Sequence, residues 1–576
     1  MTDRDSVCHF NLVQDIPAAS CAPAATPTKN DDESRRRRWR WLTLLLLVLG
    51  IGGAVGSTML SQKSRKVDAM PDQGTTPDHG TPPATRDTGR FSLAPITDEP
   101  GKTPPRTTSP SLGSFVAPTD ASGHSWAPQT GHYGRIEDGT AGTSANETTN
   151  PTSYPDRACR QPTYLSQSGQ IHVQAPDGST TPITIKGVNW FGMDTEKNIP
   201  FGLWANEQNG TSLYEVAAFL ARHKFNSVRL PLTVDSLVRN PPPDLDLINT
   251  YESPTLNVTS YTAAISAIVQ ALAFQNISVL LDIHYLAPST KGIHRDAWFS
   301  ANYPESMTLR AIDVLTTSFC NNAHWNVLGV DLKNEPYGTT WGDNGPKDWR
   351  VGAATLGNRM LLTCPQWLAF VEGNAQAHTI PYNGKPLTYY DWWGGGLQNA
   401  GKFPLALHLP HKVVWAPHFY SPSVFPQPFL VDGGRPKVPG GDLLTGYTEF
   451  SDADLLSIIR ATTQDMFGYL RQVQDGAIVF GEFGGLYATD AFPYKTSQRV
   501  IDNLMAVMNE PGYAGGYMWA LNPESGYNYN PSTTTGYWTE GLLHADWVTA
   551  NVDYLHALQA LDSLPHLQGF PCFASD

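Results

Sequence analysis

Two acidic residues stand in short motifs suited to paired carboxyl chemistry, Glu335 within KNEP and Glu482 within GEFG. Two carboxyl groups about 5–5.5 Å apart, on opposite faces of an anomeric carbon, can cleave a glycosidic bond with retention. One must carry a proton near neutral pH while the other is ionised. These two glutamates are far apart in sequence, so only a fold can join them, and either one alone reads equally well as a surface acid. Other polar and aromatic residues recur in comparable settings: Arg229 in VRLP, His284 in DIH, Asn334 directly before Glu335, His418 and Tyr420 in HFY, and Trp519. Each has a plainer alternative. Arg229 could form a structural ion pair, the histidines could be satisfied core groups, and Trp519 could be core. Glu372, which ends FVEG, is a third carboxylate without a mechanistic slot and reads as structural, orienting a loop. The DIH segment lacks the second closely spaced histidine of metal-dependent barrel hydrolases, and no CxxC or His-rich spacing suggests zinc. No metal and no cofactor is expected.

The elements that would position these residues alternate along the chain. From about Thr163, short apolar β-branched runs alternate with helical patterns, the signature of a parallel sheet with crossover helices. Eight strands are predicted, at 183–192, 227–232, 279–285, 328–336, 368–373, 413–420, 477–484 and 515–522. Helical patterns fall at 211–224, 260–275, 306–320, 347–363, 451–474 and 496–509. Between the fifth and sixth strands there is a long aromatic, Gly-rich loop in place of a helix. Each strand is apolar in its body and polar or aromatic at its C-terminal end, where a barrel gathers its active site. The fold class is therefore α/β, a (β/α)8 TIM barrel over 161–576. In such a barrel the ends of strands four and seven, bearing Glu335 and Glu482, face each other across the mouth.

The motifs RLP, NEP, HFY and GEFG, in that order on strands two, four, six and seven, resemble glycoside hydrolase family 5 over about residues 165–560. GVNWFGMD, GLW, GVDLKNEP, FVEG, WWGGGLQNAGKFP, SVFPQ and GEFGG resemble most its actinobacterial endo-β-1,4-glucanase type. The resemblance implies a retaining hydrolase of β-glucan polysaccharide. It makes Glu335 the acid/base and Glu482 the nucleophile, with Asn334 on the substrate 2-hydroxyl and Arg229 beneath the carboxylates. It also implies that Tyr420 holds the nucleophile, that His284 and His418 complete the polar lining, and that Trp519 floors the site for the sugar being cleaved. Trp204, Trp392, Trp393 and Phe425 occupy positions where such glucanases present subsite aromatics, with core packing as the alternative. The strand-three end, DIHYLAP, departs from the more polar continuation usual there, so contacts to more distant sugars do not carry over.

Composition agrees with an exported enzyme. The net charge is −14, which argues against nucleic acid as a partner because phosphate binding needs a basic face. Residues 41–60 form an uncharged apolar run of about one bilayer span, preceded by Arg35–Arg38 and Arg40. The positive-inside rule makes this a transmembrane signal anchor with 1–40 as a cytoplasmic tail and everything beyond residue 60 outside. A cleaved signal peptide is the alternative. Residues 61–160, rich in Pro, Thr, Ser and Gly, are expected to form a disordered stalk, because they hold too little apolar surface to offset ordering. A monomeric barrel tethered to the membrane follows. Of six cysteines, Cys159, Cys320, Cys364 and Cys572 fall in the folded part, where three pairings are possible. Cys320–Cys364 would join neighbouring outer helices and Cys159–Cys572 would tie the barrel's termini. Asn146, Asn209, Asn257 and Asn276 begin glycosylation sequons.

Overall fold

The computed structural model describes residues 134–139, 150–206, 209–288 and 295–574. Eight parallel strands close on themselves: β1 (Ile185–Asn189), β2 (Ser227–Thr233), β3 (Ser278–Tyr285), β4 (Val327–Asp331), β5 (Leu368–Val371), β6 (Val413–Trp415 with His418–Tyr420), β7 (Ile478–Gly484) and β8 (Tyr513–Trp519). Neighbours pair in chain order, and β8 returns to β1 through Gly515–Ile185 to Met518–Val188. Strand β6 is broken because Pro417 has no N–H to give its neighbour. Its first piece pairs mainly with β5 and its second with β7, where His418 stands level with Glu482.

The predicted strands are all present, and the helical patterns fold as α1 (Leu213–Arg222), α2 (Val234–Arg239), α3 (Tyr261–Phe274), α4 (Glu305–Phe319), α5 (Trp349–Thr363), α6 (Asp452–Thr463) and α7 (Thr496–Met508). Their starts obey local chemistry: Ser212, Thr233, Ser260, Asp348 and Ser451 each accept a backbone N–H from the first turn. The short α2 falls inside a loop read as irregular. The pattern at 451–474 does not run as one helix, since a π-turn at Gln464–Gly468 separates α6 from Leu470–Val473. As expected, no helix joins β5 to β6. The segment instead contains a hairpin, Ala377–Tyr382 with Lys385–Tyr390, turned by Asn383–Gly384 at positive φ. Asn-Gly is the strongest short hairpin signal, and only a two-residue turn of that kind matches the twist of its strands.

A three-stranded antiparallel sheet (Thr163–Gln167, Gln170–Gln174, Thr180–Ile183) precedes the barrel. Its alternate residues Tyr164, Ile171, Val173 and Ile183 are buried among Leu280, Leu328, Phe370, Val414 and Val479, the lower interior of the barrel. Alternation at period two turns one face of this sheet inward, and it plugs the end remote from the strand C-termini.

Two pieces of the stretch expected to be stalk belong to the barrel body. Ile136 is buried in the main core and its N–H meets Glu215, while Asn150 bridges Ser212 and Glu252. Isolated apolar residues and polar side chains hold these pieces in place, too sparse a pattern for composition to separate them from stalk. The anchor at 41–60 and the rest of the stalk lie outside the described residues, and among those described no helix is long and apolar enough to cross a membrane.

Both expected disulfides are formed, Cys159–Cys572 and Cys320–Cys364. Cys320 and Cys364 cap α4 and α5, which pack side by side. Closing a loop of sequence separation 44 removes chain entropy from the unfolded state worth about 4 kcal/mol in the ideal limit. The double substitution Cys320→Ser/Cys364→Ser should therefore lower Tm by several degrees in calorimetry while leaving activity at 25 °C intact. An unchanged Tm would show that this bridge does not constrain the unfolded chain.

Candidate active site

Arg229 projects from β2 to the centre of the barrel and is fully buried. Its Nη1 donates to Glu482 (2.7 Å) and to Asn189 Oδ1 (3.0 Å), its Nε to Asp331 (3.1 Å), and its Nη2 to Asn334 Oδ1 (2.9 Å) and Glu372 (3.2 Å). Asp282 is 3.1 Å from the same Nη2. One guanidinium thus joins strands β1, β2, β3, β4, β5 and β7 just above the apolar plug. Burial disfavours its charge, but Asp282, Asp331, Glu482 and Glu372 outweigh that and hold its pKa well above the usual range.

Above this layer the two glutamates converge. Glu482 gives one oxygen to Arg229 and accepts a hydrogen bond from the Tyr420 hydroxyl on the other. An oxygen of Glu335, an oxygen of Glu482 and a His418 ring nitrogen all lie within 4.8 Å of one another. His418 Nδ1 is 3.3 Å from Glu335 and 3.5 Å from Glu482, and its Nε2 is 3.0 Å from Glu372. Glu335 keeps 23% of its side chain exposed, toward the cleft, whereas Glu482 keeps 5%. A cation could in principle bridge the three groups. The donor set does not fit one, since both Glu482 oxygens are engaged by Arg229 and Tyr420 and the two His418 ring nitrogens face Glu335 and Glu372.

The protonation pattern follows from this crowding. Burial works against charge on His418, yet Glu372, Glu482 and Glu335 prevail and raise its pKa well above the usual histidine value. Burial would raise Glu335, but the hydrogen bond and charge of His418 outweigh it and hold Glu335 below its usual value. The two groups are therefore coupled, each favouring the charged form of the other. Burial pushes Asp282 and Glu372 up to about 8 and Asp331 to about 6, against the pull of nearby cations. Burial also drives His284 down to about 4, so its ring is neutral, with Nδ1 2.6 Å from Asp282.

A cavity of about 250 Å³ opens over the pair, and all but two of the expected residues line it or lie directly beneath it. His284, Asn334, Trp392, Trp393, Tyr420, Phe425 and Trp519 join Glu335 and Glu482 in its wall. Trp519 lies nearly parallel to both Phe191 and His284, with centroids 5.5 and 5.6 Å away. His418 sits behind the wall, fully buried. Trp204 is not brought to this cavity. It packs edge-on against Trp547 at 5.9 Å and donates Nε1–H to Asn209, because the β1 loop folds over the α1 start.

Sequence reasoning missed several wall residues, notably Tyr285, Tyr390, Gln427 and Tyr527. They come from loops whose course no periodicity reports. Asp282 and Asn189 carried a usable signal. Each lies on a barrel strand at the level of the site, Asp282 two positions before His284 and so on the same strand face.

The model of the cellulase family, glycosyl hydrolase family 5, matches residues 178–525, more than half of the chain. An endoglucanase of Paenibacillus polymyxa is 28% identical over 67% of this chain and 85% of its own length. The major extracellular endoglucanase of Xanthomonas campestris is 28% identical over 67% of this chain and 69% of its own. An endocellulase of Pyrococcus horikoshii, solved as a cellotetraose complex, superposes with a TM-score of 0.55 at 27% identity, covering 70% of this chain and 98% of that one. The glutamates on strand ends four and seven, the arginine beneath them and the family match along the whole barrel lead to one conclusion: this chain is a glycoside hydrolase and belongs to family 5, the cellulases.

Proposed function

We propose that the enzyme is a retaining endo-β-1,4-glucanase with Glu482 as nucleophile and Glu335 as acid/base. The observation that carries this is the approach of the two carboxylates within 4.8 Å, one pinned by Arg229 and Tyr420, the other open to the cleft. Inverting hydrolysis needs room for a water between carboxyls about 6.5–9.5 Å apart. Here an ionised Glu482 attacks the anomeric carbon as the bond to the leaving oxygen breaks, and that oxygen takes the proton from Glu335. His418, with Nδ1 3.3 Å from Glu335 Oε1, supplies that proton to Glu335. Water then attacks the glycosyl-enzyme, gives its proton to Glu335 and releases Glu482. Asn334, fixed by Arg229, is placed to bond the sugar 2-hydroxyl, a contact that strengthens in the transition state. Trp392, Trp393, Tyr390 and Phe425 offer ring faces to pyranose C–H surfaces, which supports a linear glucan. The relatives named as endoglucanases support internal cleavage.

The same reading places the barrel outside the cell, anchored through 41–60. Two disulfides support an oxidising compartment. Among the described sequons Asn257 is exposed, whereas Asn209 and Asn276 are partly buried, which favours Asn257 as the position for a glycan.

Replacing either glutamate should remove most turnover of carboxymethyl-cellulose, by about 10²–10⁴-fold for the acid/base. With an activated aryl glycoside and azide, Glu335→Ala alone should regain rate and yield the β-azide. An α-azide from that variant would reverse the two roles. The profile of kcat/KM against pH should be bell-shaped. Its alkaline limb reflects loss of the proton shared by Glu335 and His418. Because His418 binds that proton more tightly than an ordinary histidine, the proton is present at low pH and lost only as pH rises past about 6.5. An alkaline limb centred below that value would contradict the shared proton.

A further inference from the structure

Glu372 ends β5, is fully buried and belongs to neither partner of the catalytic pair. Its Oε2 accepts the backbone N–H of Glu335 at 2.7 Å, and its Oε1 lies 3.0 Å from His418 Nε2 and 3.2 Å from Arg229 Nη2. Glu335 has φ +43°, a left-handed conformation that a residue with a side chain rarely adopts unless its surroundings impose it. The bond from Glu372 is such an imposition. It fixes the backbone of Glu335, while the second oxygen steadies the imidazole that touches the Glu335 carboxylate.

The surroundings are built to hold this carboxylate. Trp349 of α5 donates its indole N–H to the Glu372 carbonyl at 2.8 Å. Gly394 lies against it: a Cβ there would come within 2.3 Å of Glu372 Oε2 and 3.1 Å of His418. Gly373 and Gly396 close the same seam, where a Cβ on Gly373 would meet the Gly396 backbone at 2.4 Å. The glycine run 394–396 therefore makes room for Glu372. The charged groups around it are Arg229 from β2, Lys333 beyond β4, Asp331 on β4 and His418 on β6.

We infer that Glu372 is a positioning residue for leaving-group protonation, acting through the backbone of Glu335 and the ring of His418 and not on the substrate. The inference rests on the acid/base reading of Glu335. It has a specific signature, because a poorly placed acid hurts only those substrates whose leaving group needs a proton. Cellotetraose has an alkoxide leaving group and depends on that proton, whereas 2,4-dinitrophenyl β-cellobioside does not.

The test compares kcat/KM, which reads only as far as glycosyl-enzyme formation, on these two substrates for wild type, Glu335→Ala, Glu372→Ala and Glu372→Gln. Glu335→Ala should fall about 10³-fold on cellotetraose and less than about tenfold on the aryl glycoside. Both Glu372 variants should show the same split in milder form, about 10- to 100-fold on cellotetraose and within about threefold on the aryl glycoside. Equal losses on both substrates, or none on either, would overturn the inference while the split in Glu335→Ala left the acid/base assignment standing. No split in Glu335→Ala would overturn that assignment and this inference with it. If Glu372→Ala fails to fold, the near-isosteric Glu372→Gln, checked by its thermal unfolding, decides alone.

Discussion

The structure turns on a single buried guanidinium. Arg229 touches residues at the ends of β1, β3, β4, β5 and β7 together, through Asn189, Asp282, Asp331 with Asn334, Glu372 and Glu482. Taking so many charges out of water costs several kcal/mol per ion, and a hydrophobic filling would often be as stable. Such a network contributes geometry more than stability. It sets the level at which the apolar plug stops and the polar mouth begins. Removing Arg229 would leave carboxylates buried without compensation, a loss of about 3–5 kcal/mol for a broken buried pair.

The same charge balance governs the proton. Several carboxyl groups share one small volume with Arg229, Lys333 and His418, and not all can ionise. Burial keeps Glu372 and Asp282 up to about 8, so part of the negative charge is titrated away near neutral pH. What remains favours a cationic His418 next to an ionised Glu335. A sugar in the cleft would displace water from the exposed face of Glu335, disfavour its charge and draw the proton across. Charge and proton are thus coupled through one ring, against which Gly394 packs closely.

Much of this was legible in the sequence. The eight strands, both disulfides, the lack of a helix after β5 and the convergence of Glu335 with Glu482 could be read from patterns whose physical basis is local: strand bodies must be apolar, helix starts need an acceptor, and strand ends gather the site. The misreadings have a common origin. Trp204 looked like a subsite aromatic, yet the course of the β1 loop takes it to Trp547. Residues 134–139 and 150–160 looked like stalk, yet buried Ile136, polar contacts with α1 and the β2 loop and the Cys159–Cys572 bridge hold them to the barrel. Glu372 looked like a loop-orienting acid, and nothing local reveals that its carboxylate reaches Glu335 and His418.

The sequence by itself determined the alternation of strands and helices and the chemical types at each strand end, including a glutamate at the ends of strands four and seven, since these depend on periodicity and residue chemistry. Only the tertiary structure decided the distances among Glu335, Glu482 and His418, the left-handed backbone of Glu335 and the place of the proton. Those depend on burial and on Coulomb terms between residues far apart in the chain, which exist only once the barrel has closed and water has been excluded around Arg229.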